Sequence, residues 1–195
     1  MDAALRGVVR DLAEQAARHD AGEPDRLRRW RVLEVDAGRF LWFLAQAVGA
    51  RDIVEIGTSR GMSTLWLGDA ARATGGRVTS VDVDADAQRA AAADVARAGL
   101  AEYVDFRHGD GGSILASLPD ESVDLLFLDA ERTEYPNWWP HPSRVLRPGG
   151  VLIADNALSH VDEMEPLREI VENDPELVTT TLEIGKGELV ALKRR

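Results

Sequence analysis

The feature that most limits what this chain can fold into is an alternation. From Asp52 to about residue 173, short aliphatic and β-branched runs alternate with stretches whose apolar residues recur at helical spacing. Strand-like runs cover 52–56, 77–82, 103–107, 123–129 and 151–155. Helical patterns cover about 61–73, 85–98, a short piece reaching Leu118, 136–146 and 162–173. Thr74-Gly75-Gly76, Gly99 and Arg147-Pro148-Gly149-Gly150 punctuate them. Pro140 and Pro142 are expected to distort or delay the helix over 136–146, and Asp162 to cap the last one. Two final strands, 177–184 and 188–193, meet at Gly185-Lys186-Gly187 as a hairpin. Repeated βα units followed by a hairpin predict an α/β fold. The sheet is mostly parallel, with helices on both faces and an antiparallel C-terminal edge.

Ahead of the alternation, Leu5, Val8, Val9, Leu12 and Ala16 predict an amphipathic helix over 3–19, broken by Ala21-Gly22-Glu23-Pro24. Phe40, Leu41, Phe43, Leu44, Ala47 and Val48 predict a second helix, ended by Gly49. The 195 residues suit one domain over 1–195, with 1–50 as an N-terminal helical cap and 51–195 as the core. The chain has no cysteine, so neither a disulfide framework nor a thiolate metal site is expected. Without a signal-peptide pattern or a membrane-length apolar run, a cytoplasmic protein is expected. A net charge of −11 disfavours binding to a nucleic-acid backbone. The nearest basic cluster, Arg26-Leu27-Arg28-Arg29-Trp30-Arg31, is short and reads as a solvated segment flanking a helix. The first amphipathic helix permits a homodimer.

The stretch Ile53-Val54-Glu55-Ile56-Gly57-Thr58-Ser59-Arg60-Gly61-Met62-Ser63 reads as strand, tight turn, helix. Glycine lets backbone approach a ligand closely, and the helix start offers unpaired N–H groups. In an open α/β sheet this turn is where a nucleotide-like ligand sits. The dinucleotide fingerprint needs a glycine where this chain has Ser59, which argues against NAD or FAD. The form E-I-G-x-x-x-G-x-S resembles motif I of class I S-adenosylmethionine (SAM) methyltransferases. It is most similar to the cation-dependent O-methyltransferases of the catechol and caffeoyl-CoA type. The resemblance runs from about Leu33 to Lys193 and implies their Rossmann-like, seven-stranded sheet, SAM as cofactor and a small-molecule acceptor.

Asp82 ends the second strand, where an acid can accept hydrogen bonds from two ribose hydroxyls, with Val83 beside it on the adenine or ribose pocket. Asp110, in His108-Gly109-Asp110-Gly111, either contacts adenine with Gly111 at close approach or caps the following helix, and both roles can coexist. Glu55, Ser59 and Ser63 are placed toward the methionine end of the cofactor, on the turn that carries Gly57 and Gly61. The resemblance alone adds Leu33 beside the cofactor carboxylate, and Asp129 is included among the cofactor-facing residues.

Asp129 ends one core strand, and Asp155-Asn156 ends the next. Their oxygen donors suit Mg²⁺, or Mn²⁺ or Ca²⁺, rather than zinc. The form L-D-A-x-x-x-x-Y … G-G-x-x-x-x-D-N resembles the family's metal site, which implies Asp129, Asp155 and Asn156 as ligands. Against this stands the ordinary use of Asp and Asn as helix caps and turn residues. A divalent ion would bind vicinal hydroxyls of a catechol-like acceptor and lower their pKa. One position departs from the family: Arg132 stands where the resemblance implies a lysine general base, and an arginine stays protonated. Arg132 is left as a stabiliser of the phenolate, and His160 as the group that titrates near neutrality. Trp42, Trp138 and Trp139 could wall an aromatic pocket but read as core residues. Two rival readings remain, an NAD-linked oxidoreductase and a non-catalytic SAM-binding module.

Overall fold

The structure is a computed structural model that describes residues 3–25, 28–30 and 32–195. Arg26, Leu27 and Arg31 of the basic stretch lie outside the described residues, as do Met1 and Asp2.

Five parallel strands form most of the sheet: β1 (Asp52–Ile56), β2 (Arg77–Asp82), β3 (Val104–His108), β4 (Val123–Leu128) and β5 (Leu146–Ala154). A hairpin of β6 (Leu177–Leu182) and β7 (Glu188–Lys193) completes it, with β7 antiparallel to β5. The strand order is β3-β2-β1-β4-β5-β7-β6. Because side chains alternate along a strand, the sheet splits the core in two. Ile53, Leu125, Phe127 and Ile153 pack with α1 (Ala3–Gly22), α2 (Val35–Ala47), α3 (Met62–Thr74) and α4 (Ala85–Arg97). Val54, Ile56, Leu126 and Leu152 pack with α5 (Gly111–Ser117), α6 (Tyr135–Trp138), α7 (His141–Val145) and α8 (Val161–Asn173). Among the described residues no helix is long and apolar enough to cross a membrane.

The α/β fold and its antiparallel edge are those expected, while several boundaries differ for physical reasons. Helix α2 begins at Val35, ahead of Phe40, although Gly38 is a poor helix former. Gly38 lies so close to the Trp66 indole of α3 that a Cβ there would collide, so packing overrides propensity. The helix expected over 136–146 splits into α6 and α7. Trp139 between them is extended (φ −68°, ψ 138°), as the residue before Pro140 prefers. Strand β5 starts at Leu146, not residue 151. A register shift between Val123/Leu146 and Leu125/Val151 absorbs Pro148-Gly149-Gly150, which reads as a plain turn in sequence. His160, not Asp162, occupies the N-cap of α8. Asp162 lies in the first turn, where its charge still suits the helix dipole.

Candidate active site

Beyond the last residues of β1, β4 and β5 the main-chain ladder continues for one more rung. The Gly57 N–H donates to Val81 O (2.8 Å), Asp129 N–H to Ile56 O (2.9 Å) and Asp155 N–H to Leu128 O (3.1 Å). Three loops therefore leave the sheet side by side, where α/β sheets bind ligands. A cavity of about 1140 Å³ opens here, walled by Leu33, Ser59, Asp82, Asp129, Arg132, Asn156 and His160.

Gly57 takes a left-handed φ of 105°, and a Cβ on it would strike the Asp129 carbonyl. Sterics between two loops, as much as ligand approach, thus require this glycine. Gly61 packs in the same way on Ala91 of α4. Ser59 sits at φ 44°, an uncommon value for a residue with a side chain. In that conformation its N–H donates to Asp82 Oδ2 (2.7 Å), and the Asp84 N–H donates to Asp82 Oδ1 (2.8 Å). Two backbone donors thereby hold the Asp82 carboxylate on the cavity wall, and each oxygen keeps further acceptor capacity.

Glu55 is fully buried behind this turn. Its Oε2 accepts from the Thr64 (2.6 Å) and Ser80 (2.5 Å) hydroxyls, and the Ser63 hydroxyl also favours its ionised form. Burial pushes its pKa up to about 7, opposed by the Ser63, Ser80 and Thr64 hydroxyls. Ser63 is itself buried and serves Glu55, so neither lies on the cavity wall. Leu33 is buried and does line the cavity. Val83 is 70% exposed, and its carbonyl meets His108 Nε2 at 3.0 Å. Asp110 caps α5 through the Ser113 N–H (2.7 Å), a bond that holds its carboxyl below the usual range. A Cβ on Gly111 would meet Ile56 and Trp138. Val83, Asp110 and Gly111 thus sit along the neighbouring rim, outside the cavity wall. The pre-held Asp82 carboxylate at the end of β2, on the cavity wall, fits the ribose of a nucleoside.

On the other side, Asn156 Nδ2 reaches Asp129 Oδ1 (3.3 Å) and Asp155 Oδ2 (2.9 Å). Asn156 stands at φ 72°, a left-handed conformation that asparagine tolerates better than most residues. Burial raises the pKa of Asp129 well above the carboxylate range, and Asp155 adds repulsion while Lys186 opposes it. Burial also lifts Asp155, to about 6, against the Asn156 N–H. A half-buried and a buried carboxylate with an amide between them fit a hard ion, with the amide turned so that its oxygen faces it. Among the described residues no three carboxylate, imidazole or thiol groups are placed to hold an ion. Two carboxylates with an amide, the remaining positions going to water and acceptor, is a Mg²⁺-like arrangement.

Arg132 lines the cavity with its side chain only 12% exposed, and its Nε donates to Glu163 Oε2 of α8 (2.7 Å). His160 Nδ1 lies 2.9 Å from the Ser159 hydroxyl. Four residues escaped the sequence reading of the site. The Tyr135 hydroxyl accepts from Ala130 N–H (2.7 Å) and donates to Ala130 O (3.1 Å), fixing the loop after Asp129. Glu34, Lys186 and Glu188 cluster at the hairpin side. Lys186 pairs with Glu34 at 3.0 Å. Glu188 is fully buried with neither carboxyl oxygen partnered, and burial beside Asp155 and Asp129 lifts it to about 9. An inward-facing acid in the run Glu188-Leu189-Val190-Ala191-Leu192 was the one available signal. The tryptophans behave as core residues: Trp42 Nε1 donates to Asp69 (2.8 Å), and Trp138 covers Gly111 and Gly112. Trp30 walls the cavity instead, stacked on His19 with Arg60 over its ring at 4.0 Å.

The sheet order and the site at its carboxyl edge define a class I methyltransferase fold. A family model described as O-methyltransferase matches residues 8–192. A catechol O-methyltransferase of Mycobacterium tuberculosis (strain ATCC 25618 / H37Rv) is 33% identical over 160 residues, covering 81% of this chain and 70% of that protein. The O-methyltransferase of Bacillus cereus in complex with S-adenosylhomocysteine (SAH) superposes with a TM-score of 0.81 at 27% identity, covering 100% of this chain and 92% of that one. TomG of Streptomyces achromogenes, in complex with SAM, gives 0.79 at 26% identity, covering 100% and 91%. The chain belongs to the O-methyltransferase family of class I SAM-dependent enzymes, the group that includes catechol O-methyltransferases.

Proposed function

We propose that this chain transfers the methyl group of SAM to one hydroxyl of a small catechol-like molecule, beside a divalent cation held by Asp129, Asp155 and Asn156. The observation that carries the reading is the meeting of half-buried Asp129, buried Asp155 and the Asn156 amide at adjacent strand ends, with Asp129 and Asn156 lining the cavity that Ser59 and Asp82 also wall. When bound, SAM supplies a methyl group on a cationic sulfonium, and the cation lowers the pKa of the hydroxyls it meets.

The chain's own residues then position and balance charge. Asp82 would accept hydrogen bonds from the ribose hydroxyls, and Glu55, buried behind the Gly57 turn, would favour the cationic ammonium end from there. Leu33 covers that end, while Val83, Asp110 and Gly111 border the adenine. With SAM bound, the methyl group would pass from sulfur to the acceptor oxygen, giving a methyl ether and SAH, and the acceptor would lose its proton. Arg132 keeps its charge and stabilises the oxyanion. His160 is the titratable group assigned to the acceptor's proton.

The test incubates the protein with SAM, Mg²⁺ and 3,4-dihydroxybenzoate or a similar vicinal diphenol. SAH and a monomethyl ether are expected in equal amounts, and a chelator should slow their formation. Tight SAH binding without turnover on any hydroxylated acceptor would instead favour a non-catalytic SAM-binding module.

A further inference from the structure

The turn between β6 and β7 places a lysine on the wall of the acceptor site. The Lys186 carbonyl accepts N–H bonds from Leu158 and Ser159 (both 3.0 Å), and Gly187 O accepts from Ala157 N–H (2.8 Å). A Cβ on Gly187 would come within 2.5 Å of Leu158, so the turn sits directly on the loop that follows Asn156. The Lys186 side chain is 31% exposed and lines the cavity together with Asp129, Arg132 and Asn156. Arg132 is engaged by Glu163, whereas the pairing of Lys186 with Glu34 stays inside the cavity wall.

We propose that Lys186 is a resident cation of the acceptor site, placed to oppose a divalent ion at Asp129 and Asp155 and to supply part of its positive field. The inference rests on the metal reading given above. Lys186 shares the cavity wall with Asp129 and Asn156, and its turn leads directly into Glu188 on β7, which pairs with the strand that ends before Asp155. Those acids stand on the ends of β4, β5 and β7, so one ammonium serves a row of carboxyl groups that otherwise repel one another. A second cation entering the same field meets Lys186 as a like charge. A like charge close by on a partly desolvated wall costs a bound cation roughly tenfold or more in affinity. The lysine thus weakens the hold on the ion while leaving positive charge beside the acceptor oxygen.

Calorimetric titration of Mg²⁺ and of Mn²⁺ into the SAH-saturated protein reads this directly, with Lys186→Met and Lys186→Gln as neutral variants and Lys186→Arg as the charge-keeping one. Retained SAH binding checks that each variant is folded. The neutral variants should bind the ions at least about tenfold more tightly than the parent, including the case in which the parent shows no binding and they do. Lys186→Arg should match the parent. Equal, measurable affinity in parent and neutral variants would overturn the role of Lys186 and leave the metal site standing. Absence of binding in every protein would overturn the metal reading itself, and this inference with it.

Discussion

Glu55 shows how one side chain ties the core to the turn after β1. Its carboxyl is buried, bonded by the Thr64 and Ser80 hydroxyls, and held at about 7 against an ordinary 4.5, chiefly by burial. A folded-state pKa raised in this way contributes stability that is complete below about pH 4.5 and lost as pH rises through about 7. The contribution is about 3 kcal/mol. Glu55→Gln keeps the shape and removes the charge. In ligand-free protein, its Tm relative to the parent should be several degrees more favourable at pH 8 than at pH 5. A Tm difference that does not change with pH would contradict the assignment. At this scale the acids at strand ends were legible, because Asp82, Asp129 and Asp155 stop apolar runs. Lys186 and Glu188 were not. They lie in a segment whose glycines already explain it as a hairpin, and only the pairing of β7 with β5 brings them beside Asp155. The glycines carried a mixed message. Gly57 and Gly61 were read as ligand-approach positions, yet each is also required by a neighbouring loop or helix.

Among the elements, β1, β4 and β5 must keep their relative height for the three loops to meet, and a clamp at their opposite ends contributes to this. Asp124 of β4 accepts from the N–H groups of Arg51 (2.5 Å), just before β1, and Asp52 (3.0 Å), its first residue, and pairs with Arg147 in β5. Asp124→Ala strands two backbone donors, which costs about 2–4 kcal/mol. A fall in Tm of about 5–15 °C is expected, with SAH still bound once the protein is folded. A Tm within a degree of the parent would show that the clamp carries no load. The clamp had no sequence signature, since its partners are about 70 residues apart. The same holds for the α2 start and the β5 bulge: Gly38 and Pro148-Gly149-Gly150 look like breakers until Trp66 and β4 are in place. Periodic elements such as β2 and α4, by contrast, follow their local pattern almost to the residue.

For the whole molecule, the strand order and the edge hairpin set the class, and the family match sets the chemistry's general type. A ligand that binds only the folded state at 100 times its Kd adds about 2.7 kcal/mol. Saturating SAH should therefore raise the Tm by about 5–10 °C, while NAD should leave it unchanged. A shift with NAD and none with SAH would reverse the order of the two readings. The question that most depends on the site is whether the strand ends bind an ion. It is settled by titrating Mg²⁺ calorimetrically into the SAH-saturated protein beside an Asp129→Ala, Asp155→Ala double variant that still binds SAH. Binding that is present in the parent and lost in the double variant is the expected result. Binding of equal strength in both proteins, or in neither even when Lys186 is neutralised, would contradict a metal centre at Asp129, Asp155 and Asn156.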